Sequence, residues 1–170
     1  KLASFLIEEL GVKKGERLAI LSESKPEYGV CVFASVLSGM VTVPLDVKLT
    51  KYELKSIMLD CEPSVIMVSQ HYLDTALALK QEISSIKHVI VMDEHSYNDG
   101  IKNIYELPDC YNAKWRHRSS KSTAFIIYTS GTTGAPKGVE ISFRNITAQL
   151  EDLKIALDEI LPHRKITTLS

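Results

Sequence analysis

The residue types best suited to chemistry are concentrated between Tyr128 and Gly138. The order Tyr128, Thr129, Ser130, Gly131, Thr132, Thr133, Gly134, Ala135, Pro136, Lys137, Gly138 places four aliphatic hydroxyls, three glycines and one lysine in a single short stretch. Glycines at 131 and 134 allow positive φ, so successive backbone N–H groups can converge on one concavity that attracts an anion. The hydroxyls of Thr129, Ser130, Thr132 and Thr133 add donors, and Lys137 adds a full positive charge. A loop so built suits a phosphate. The candidate binding residues are Thr129, Ser130, Gly131, Thr132, Thr133, Gly134, Lys137 and Gly138, with Lys137 also the candidate catalytic group.

The pattern differs from a Walker loop, which reads G-x-x-x-x-G-K-[ST] and opens directly into a helix. Here Ala135 and Pro136 separate Gly134 from Lys137, and Gly138 stands where the Walker Ser or Thr would be. A plain Gly/Ser/Thr surface turn is the competing interpretation of such residues. The apolar run Ala124 to Ile127 that enters the loop, the β-branched run Val139 to Ile141 that leaves it, and the Pro-Lys-Gly exit all argue against a mere linker.

Tyr128 to Gly138 resembles the signature loop of the adenylate-forming ligases, which include acyl-CoA and aryl-CoA synthetases, luciferases and the adenylation domains of non-ribosomal peptide synthetases. A second resemblance lies upstream: Pro26, Glu27, Tyr28, Gly39 and Val43-Pro44-Leu45-Asp46 are similar to fatty acyl-CoA synthetases in this region. Together the two cover nearly the whole chain. The resemblance implies that the loop wraps the β- and γ-phosphates of ATP while a substrate carboxylate attacks the α-phosphorus, giving an acyl-adenylate and pyrophosphate. It implies ATP and Mg2+ as cofactors, a fatty acid as substrate, and CoA or an acyl carrier protein as thiol acceptor. Two departures stand out. Phe143 precedes Arg144-Asn145 where the family often has histidine, and Ser119-Ser120-Lys121-Ser122 replaces the acidic residue common before the entry strand. Both bear on the subfamily and leave the phosphate-binding residues untouched.

The elements that must position the loop follow from periodicity. Leu2, Phe5, Leu6 and Leu10 share a helical face, with Gly11 as C-cap. Arg17 to Leu21 is a short buried strand. Ser24 and Glu27 have the spacing of a capping box, with Pro26 tolerated in the first turn; the helix they open is apolar almost all round from Val30 to Leu37, which predicts burial, and Gly39 ends it. Val41 to Leu45 is a strand. Thr50 and Glu53 form a second capping box before Leu54, Ile57, Met58 and Cys61 at i, i+3, i+4, i+7. Ser64 to Val68, Tyr72 to Ile83 and His88 to Met92 read as strand, helix and strand. The near-equal strand spacing is that of βαβ units without residue repetition. After the loop, Ser142 caps a last helix with the face Ile146, Leu150, Leu153, Leu157 and Ile160; Pro162 stops it, and Lys165 to Leu169 begins another strand. The fold class is α/β, a largely parallel sheet flanked by helices.

Composition sets limits. With 170 residues, 45% hydrophobic, the chain can form one compact domain, and its formal charge of −1 calls for neither nucleic acid nor an anionic membrane. Cys31, Cys61 and Cys110 lack paired short spacing, which suits a reducing, cytoplasmic location. No apolar run approaches the roughly 18 residues of a membrane helix. His71, His88, His95, His117 and His163 show no metal-ligand spacing, so no metal–histidine site is expected. The absence of G-x-S-x-G argues against a hydrolase. Lys114-Trp115-Arg116-His117-Arg118 reads as a solvated connection between turn-rich segments, its tryptophan packed on the domain. Asp46 holds a turn at a strand end.

In the family the adenine-binding residues, the acidic magnesium ligand, the acyl pocket and the mobile C-terminal domain with its catalytic lysine come later than Ser170. Residues 1–170 therefore read as the N-terminal portion of the AMP-binding domain, inactive alone and prone to self-association through an uncovered sheet edge. An amino-acid-activating adenylation domain, or a regulatory module that binds a nucleotide or another anion, are the alternatives.

Overall fold

A computed structural model of the chain describes residues 1–94, 101–109, 114–129 and 136–160, with side chains to residue 157. The elements are α1 (Leu2–Glu8), β1 (Arg17–Leu21), α2 (Pro26–Ser38), β2 (Val41–Leu45), α3 (Lys51–Cys61), β3 (Val65–Val68), α4 (Leu73–Glu82), β4 (His88–Val91), β5 (Lys102–Asn103), β6 (Thr123–Thr129), β7 (Lys137–Ser142) and α5 (Phe143–Ile160). The strands form one seven-stranded sheet in the order β5-β4-β3-β1-β2-β6-β7. Every neighbouring pair is parallel except the last, the antiparallel hairpin β6–β7.

Strand alternation divides the core in two. Leu18, Ile20, Val65, Met67 and Ile90 pack with α1 and α2 on one face. Ala19, Leu21, Val43, Ile66, Val68 and Val89 pack with α3 and α4 on the other. Central strands buried on both faces account for their nearly continuous apolar sequences. The α3 capping box forms as its sequence predicts: Glu53 N donates to Thr50 Oγ1 at 3.3 Å, Thr50 N donates to Glu53 Oε2 at 2.8 Å, and Leu54, Ile57, Met58 and Cys61 are the buried face.

The same motif at Ser24 does not form. Pro26 occupies the first helical position, so Lys25 is the N-cap and makes no side-chain capping bond. Glu27 instead accepts from the Tyr105 hydroxyl at 2.6 Å. Nor is α2 buried all round, because Phe33 is 70% exposed and Val30 50%. Helix α1 stops at Glu8 with Glu9 as C-cap, and Gly11 takes its positive φ in the turn beyond. Gly39 does cap α2 in the left-handed conformation. A short 3-10 turn, Gln70–Tyr72, precedes α4, and the two-residue strand β5 lies in what sequence periodicity leaves as turn-rich connection.

At the far edge, Ser142 caps α5 as expected: its Oγ accepts from Asn145 N at 3.2 Å, and Asn145 Oδ1 accepts from Ser142 N at 3.0 Å. The predicted apolar face of α5 is uncovered at its middle, where Leu150 and Leu153 are more than half exposed, while Ile146 and Leu157 are half-buried. The predicted stop at Pro162 and strand from Lys165 lie outside the described residues.

Candidate phosphate-binding site

The candidate loop connects the two strands of the antiparallel hairpin. Its stems are in register: Thr129 pairs with Lys137, Tyr128 with Gly138, and Ile127 with Val139. Residues directly opposite on an antiparallel pair share a face of the sheet, so the side chains of Thr129 and Lys137 leave the hairpin mouth on the same face, both solvent-exposed. Thus β6 and β7 bring together the first and last polar donors of the motif. Ser130, Gly131, Thr132, Thr133 and Gly134 lie outside the described residues. Leaving the loop, the chain continues as a strand rather than a helix, which separates this arrangement from a Walker loop.

Gly138 has a specific local reason. A Cβ built there would lie 2.9 Å from Ile126 Cγ2 and 3.1 Å from Tyr128 Cζ. The Tyr128 ring therefore lies over the backbone of Gly138, a place that any side chain would contest. On its other side the ring packs against the α3/α4 core, and its hydroxyl donates to Asp60 near the end of α3. Burial, and then the bond to Asp60, push the Tyr128 phenol well above its ordinary range, so it remains a donor. The neighbouring Cys61 thiol is pushed up to about 12, chiefly by burial, so it stays protonated and unreactive.

The carboxyl ends of the central parallel strands, where open α/β sheets commonly bind ligands, are occupied by the protein's own polar groups. Ser69 Oγ donates to Glu23 at 2.7 Å, and this bond is the main cause of Glu23 lying below the usual carboxylate range. Lys25 pairs with Asp93, which also accepts from Gln70 N at 2.7 Å. Burial opposes ionisation of Asp93, yet Lys25 and Gln70 together hold its carboxyl low. Asp46 holds the turn after β2, accepting from Lys48 N at 2.9 Å, as expected.

The basic segment before β6 is anchored by its arginines. Arg116 donates to Val12 O, Arg118 to Gly39 O at 2.9 Å, and Lys14 to His117 O at 3.1 Å. Trp115 does not pack on the domain. It is 72% exposed at the rim of a cleft of about 430 Å³ that Val36, Leu37 and Phe143 also line. The guanidinium groups reach backbone carbonyls of the domain, so they, and not the ring, fix the segment.

Sheet and hairpin together define the class: an open, mostly parallel α/β domain bordered by an antiparallel hairpin that carries a Gly/Thr-rich loop. The chain belongs to the AMP-binding enzyme family, whose model matches residues 1–168. It is 29% identical over 149 residues to the crotonobetaine/carnitine–CoA ligase of Escherichia fergusonii, covering 83% of this chain and 28% of that protein. It is also 29% identical over 186 residues to the long-chain-fatty-acid–CoA ligase of Salmonella typhimurium, covering 94% and 33%. Among solved structures, the anthranilate CoA ligase AuaEII in complex with anthranoyl-AMP superimposes with a TM-score of 0.78 at 25% identity, covering 88% of this chain and 29% of that one. The chain thus spans about a third of the length of these curated relatives. Among the described residues, no helix is long and apolar enough to cross a membrane.

Proposed function

We propose that residues 1–170 are the N-terminal portion of the AMP-binding domain of an ATP-dependent acid ligase. The full-length protein activates a fatty acid as its acyl-adenylate and then forms a thioester with CoA or an acyl-carrier-protein thiol. The observation that carries this reading is the register of Thr129 against Lys137 at the mouth of the signature loop, in a chain matched by the family model over 1–168. Support for an acyl-adenylate comes from the AuaEII structure, which holds one, and support for a fatty acid from the Salmonella relative's name.

In the proposed reaction the carboxylate oxygen attacks the α-phosphorus of ATP, the bond from α-phosphorus to the bridging oxygen breaks, and pyrophosphate departs. A thiol then attacks the acyl carbonyl and AMP leaves. The residues of this chain serve the first departure. Thr129, Ser130, Thr132, Thr133 and the amides of Gly131, Gly134 and Gly138 hold the β- and γ-phosphates, while Lys137 meets the negative charge that grows on the leaving group. Among the described residues, no three His, Cys, Asp or Glu side chains gather as a metal site. Magnesium would be carried by ATP, with its protein ligand expected outside residues 1–170.

On this reading the acid is held by later parts of the longer protein, and residues 1–170 in isolation are expected to be inactive. A cytoplasmic location accompanies the reading, supported by the free thiols Cys31 and Cys61. The test is to incubate the full-length protein with ATP, CoA and a panel of fatty acids, aryl acids and amino acids, and to identify products by mass spectrometry. Fatty acyl-AMP and fatty acyl-CoA are expected; aminoacyl-AMP in their place would overturn the substrate assignment.

A further inference from the structure

Strand β6 registers with β2 through Thr42 opposite Phe125, and Thr129 lies well beyond that point. Its partner over the last residues is β7, itself the edge strand. The hairpin mouth therefore lies at the border of the sheet, with no strand beyond β7 among the described residues, and a loop that must place hydroxyls and an ammonium against a phosphate gains from a further hold on its stems.

That hold is visible one residue in from the mouth. The Tyr128 ring lies over Gly138, its flank packs on the α3/α4 core, and its hydroxyl donates to Asp60. Asp60 sits in the last turn of α3, a helix fixed at its other end by the Thr50–Glu53 capping box and buried along Leu54, Ile57, Met58 and Cys61. Asp60 itself is solvent-exposed and contributes nothing to the core. Strand alternation points Thr129 and Lys137 to the face opposite Tyr128, so the tie acts on the two mouth residues through the backbone of the stems and not by side-chain contact.

We propose that Asp60, acting through Tyr128, is a positioning residue for the phosphate loop, tying the hairpin stems to α3 so that Thr129 and Lys137 are held in place for the ATP phosphates. This inference rests on the ligase reading for its role in the reaction. The tie itself is a property of the fold and can be measured separately.

The experiment uses the full-length protein with Tyr128→Phe, which removes only the hydroxyl, with Asp60→Ala and Asp60→Asn, and with the Tyr128→Phe/Asp60→Ala double variant. Expected is a rise of about tenfold in KM for ATP in Tyr128→Phe and Asp60→Ala, with KM for the acid changed less than twofold. Asp60→Asn keeps a carbonyl acceptor and should show a smaller rise than Asp60→Ala. The double variant should be no worse than Tyr128→Phe alone, because that change already removes the bond that Asp60 accepts. In parallel, hydrogen–deuterium exchange of peptides containing Thr129 and Lys137 should quicken several-fold in Tyr128→Phe while α4 peptides stay unchanged. An unchanged KM for ATP, equal shifts for ATP and acid, or additive effects in the double variant would overturn the proposal. If the wild-type protein activates no acid, the ligase reading fails. Hydrogen exchange then still decides the tie: local quickening at the stems supports it, and unchanged stems overturn it.

Discussion

Thr129 and Lys137 face each other across the last antiparallel pair of the β6–β7 hairpin, so a hydroxyl and an ammonium separated in sequence by the loop stand on one face of the sheet. Strand register alone achieves this, before any loop residue is considered. The two stems act as a fixed mouth, and consequences follow for stability, association and catalysis.

Gly138→Ala should destabilise the domain by about 1–3 kcal/mol through overpacking, because the added Cβ meets Ile126 Cγ2 at 2.9 Å and the Tyr128 ring at 3.1 Å. Combining it with Tyr128→Ala should cost less than the sum of the two changes, since the ring that the added methyl would strike is gone. Urea unfolding of the four proteins measures this, and strict additivity would contradict the close approach.

Stability should fall with acid in two separate windows. Burial, aided by Lys80, Lys102 and Lys87, holds His88 below its ordinary value of 6.5, so protonation favours the unfolded chain and stability is lost as pH drops below about 6.5. Glu82 is gripped by Lys51 at 2.8 Å and Lys55 at 2.7 Å, and these bonds lower its carboxyl from 4.5 to about 2. The stability it contributes is therefore present above about pH 4.5 and is lost as pH falls toward 2. His88→Gln should flatten the first limb and Glu82→Gln the second, read from unfolding midpoints against pH. A wild-type midpoint that does not change between about pH 7 and 5.5 would contradict the assignment to His88.

Strand β7 leaves one edge of the sheet unpaired among the described residues, and Val139, Leu150, Leu153 and Ile155 expose apolar surface beside it. An uncovered edge next to an apolar face favours pairing with another chain. The 170-residue chain should therefore self-associate, and Val139→Lys with Leu150→Lys should reduce the association. Light scattering that finds only monomer at high concentration would count against this.

Local signals decided most of what could be read from the sequence. The strands Arg17–Leu21 and Val41–Leu45 and the Thr50–Glu53 box have the bounds that their residues predict. Ser24 and Glu27 have the same spacing as that box and fail, because Pro26 moves the helix start and Tyr105, distant in sequence, takes the Glu27 carboxylate. The faces of α2 and α5 were legible as apolar but not as uncovered, since periodicity reports which side is apolar and not what lies against it. The arginine anchors of the 114–118 segment bond to carbonyls of Val12 and Gly39, beyond any local pattern. At the site, residue type pointed to a phosphate, while the Tyr128–Asp60 contact carries no sequence signature because its partners lie on different elements.

Acid-dependent exchange of pyrophosphate into ATP reads the chemistry of the loop most directly. Forming the acyl-adenylate requires an acid placed in line with the α-phosphorus and neutralisation of the departing pyrophosphate, and the role proposed for this loop is the second. The full-length protein should exchange pyrophosphate when given a fatty acid. Lys137→Ala should slow that exchange by roughly 10²-fold or more with little change in KM for the acid, because the charge it meets develops on the leaving group. The 170-residue chain alone should show no exchange with any acid. Exchange by that chain, or an unchanged rate in full-length Lys137→Ala, would contradict the role given to this loop.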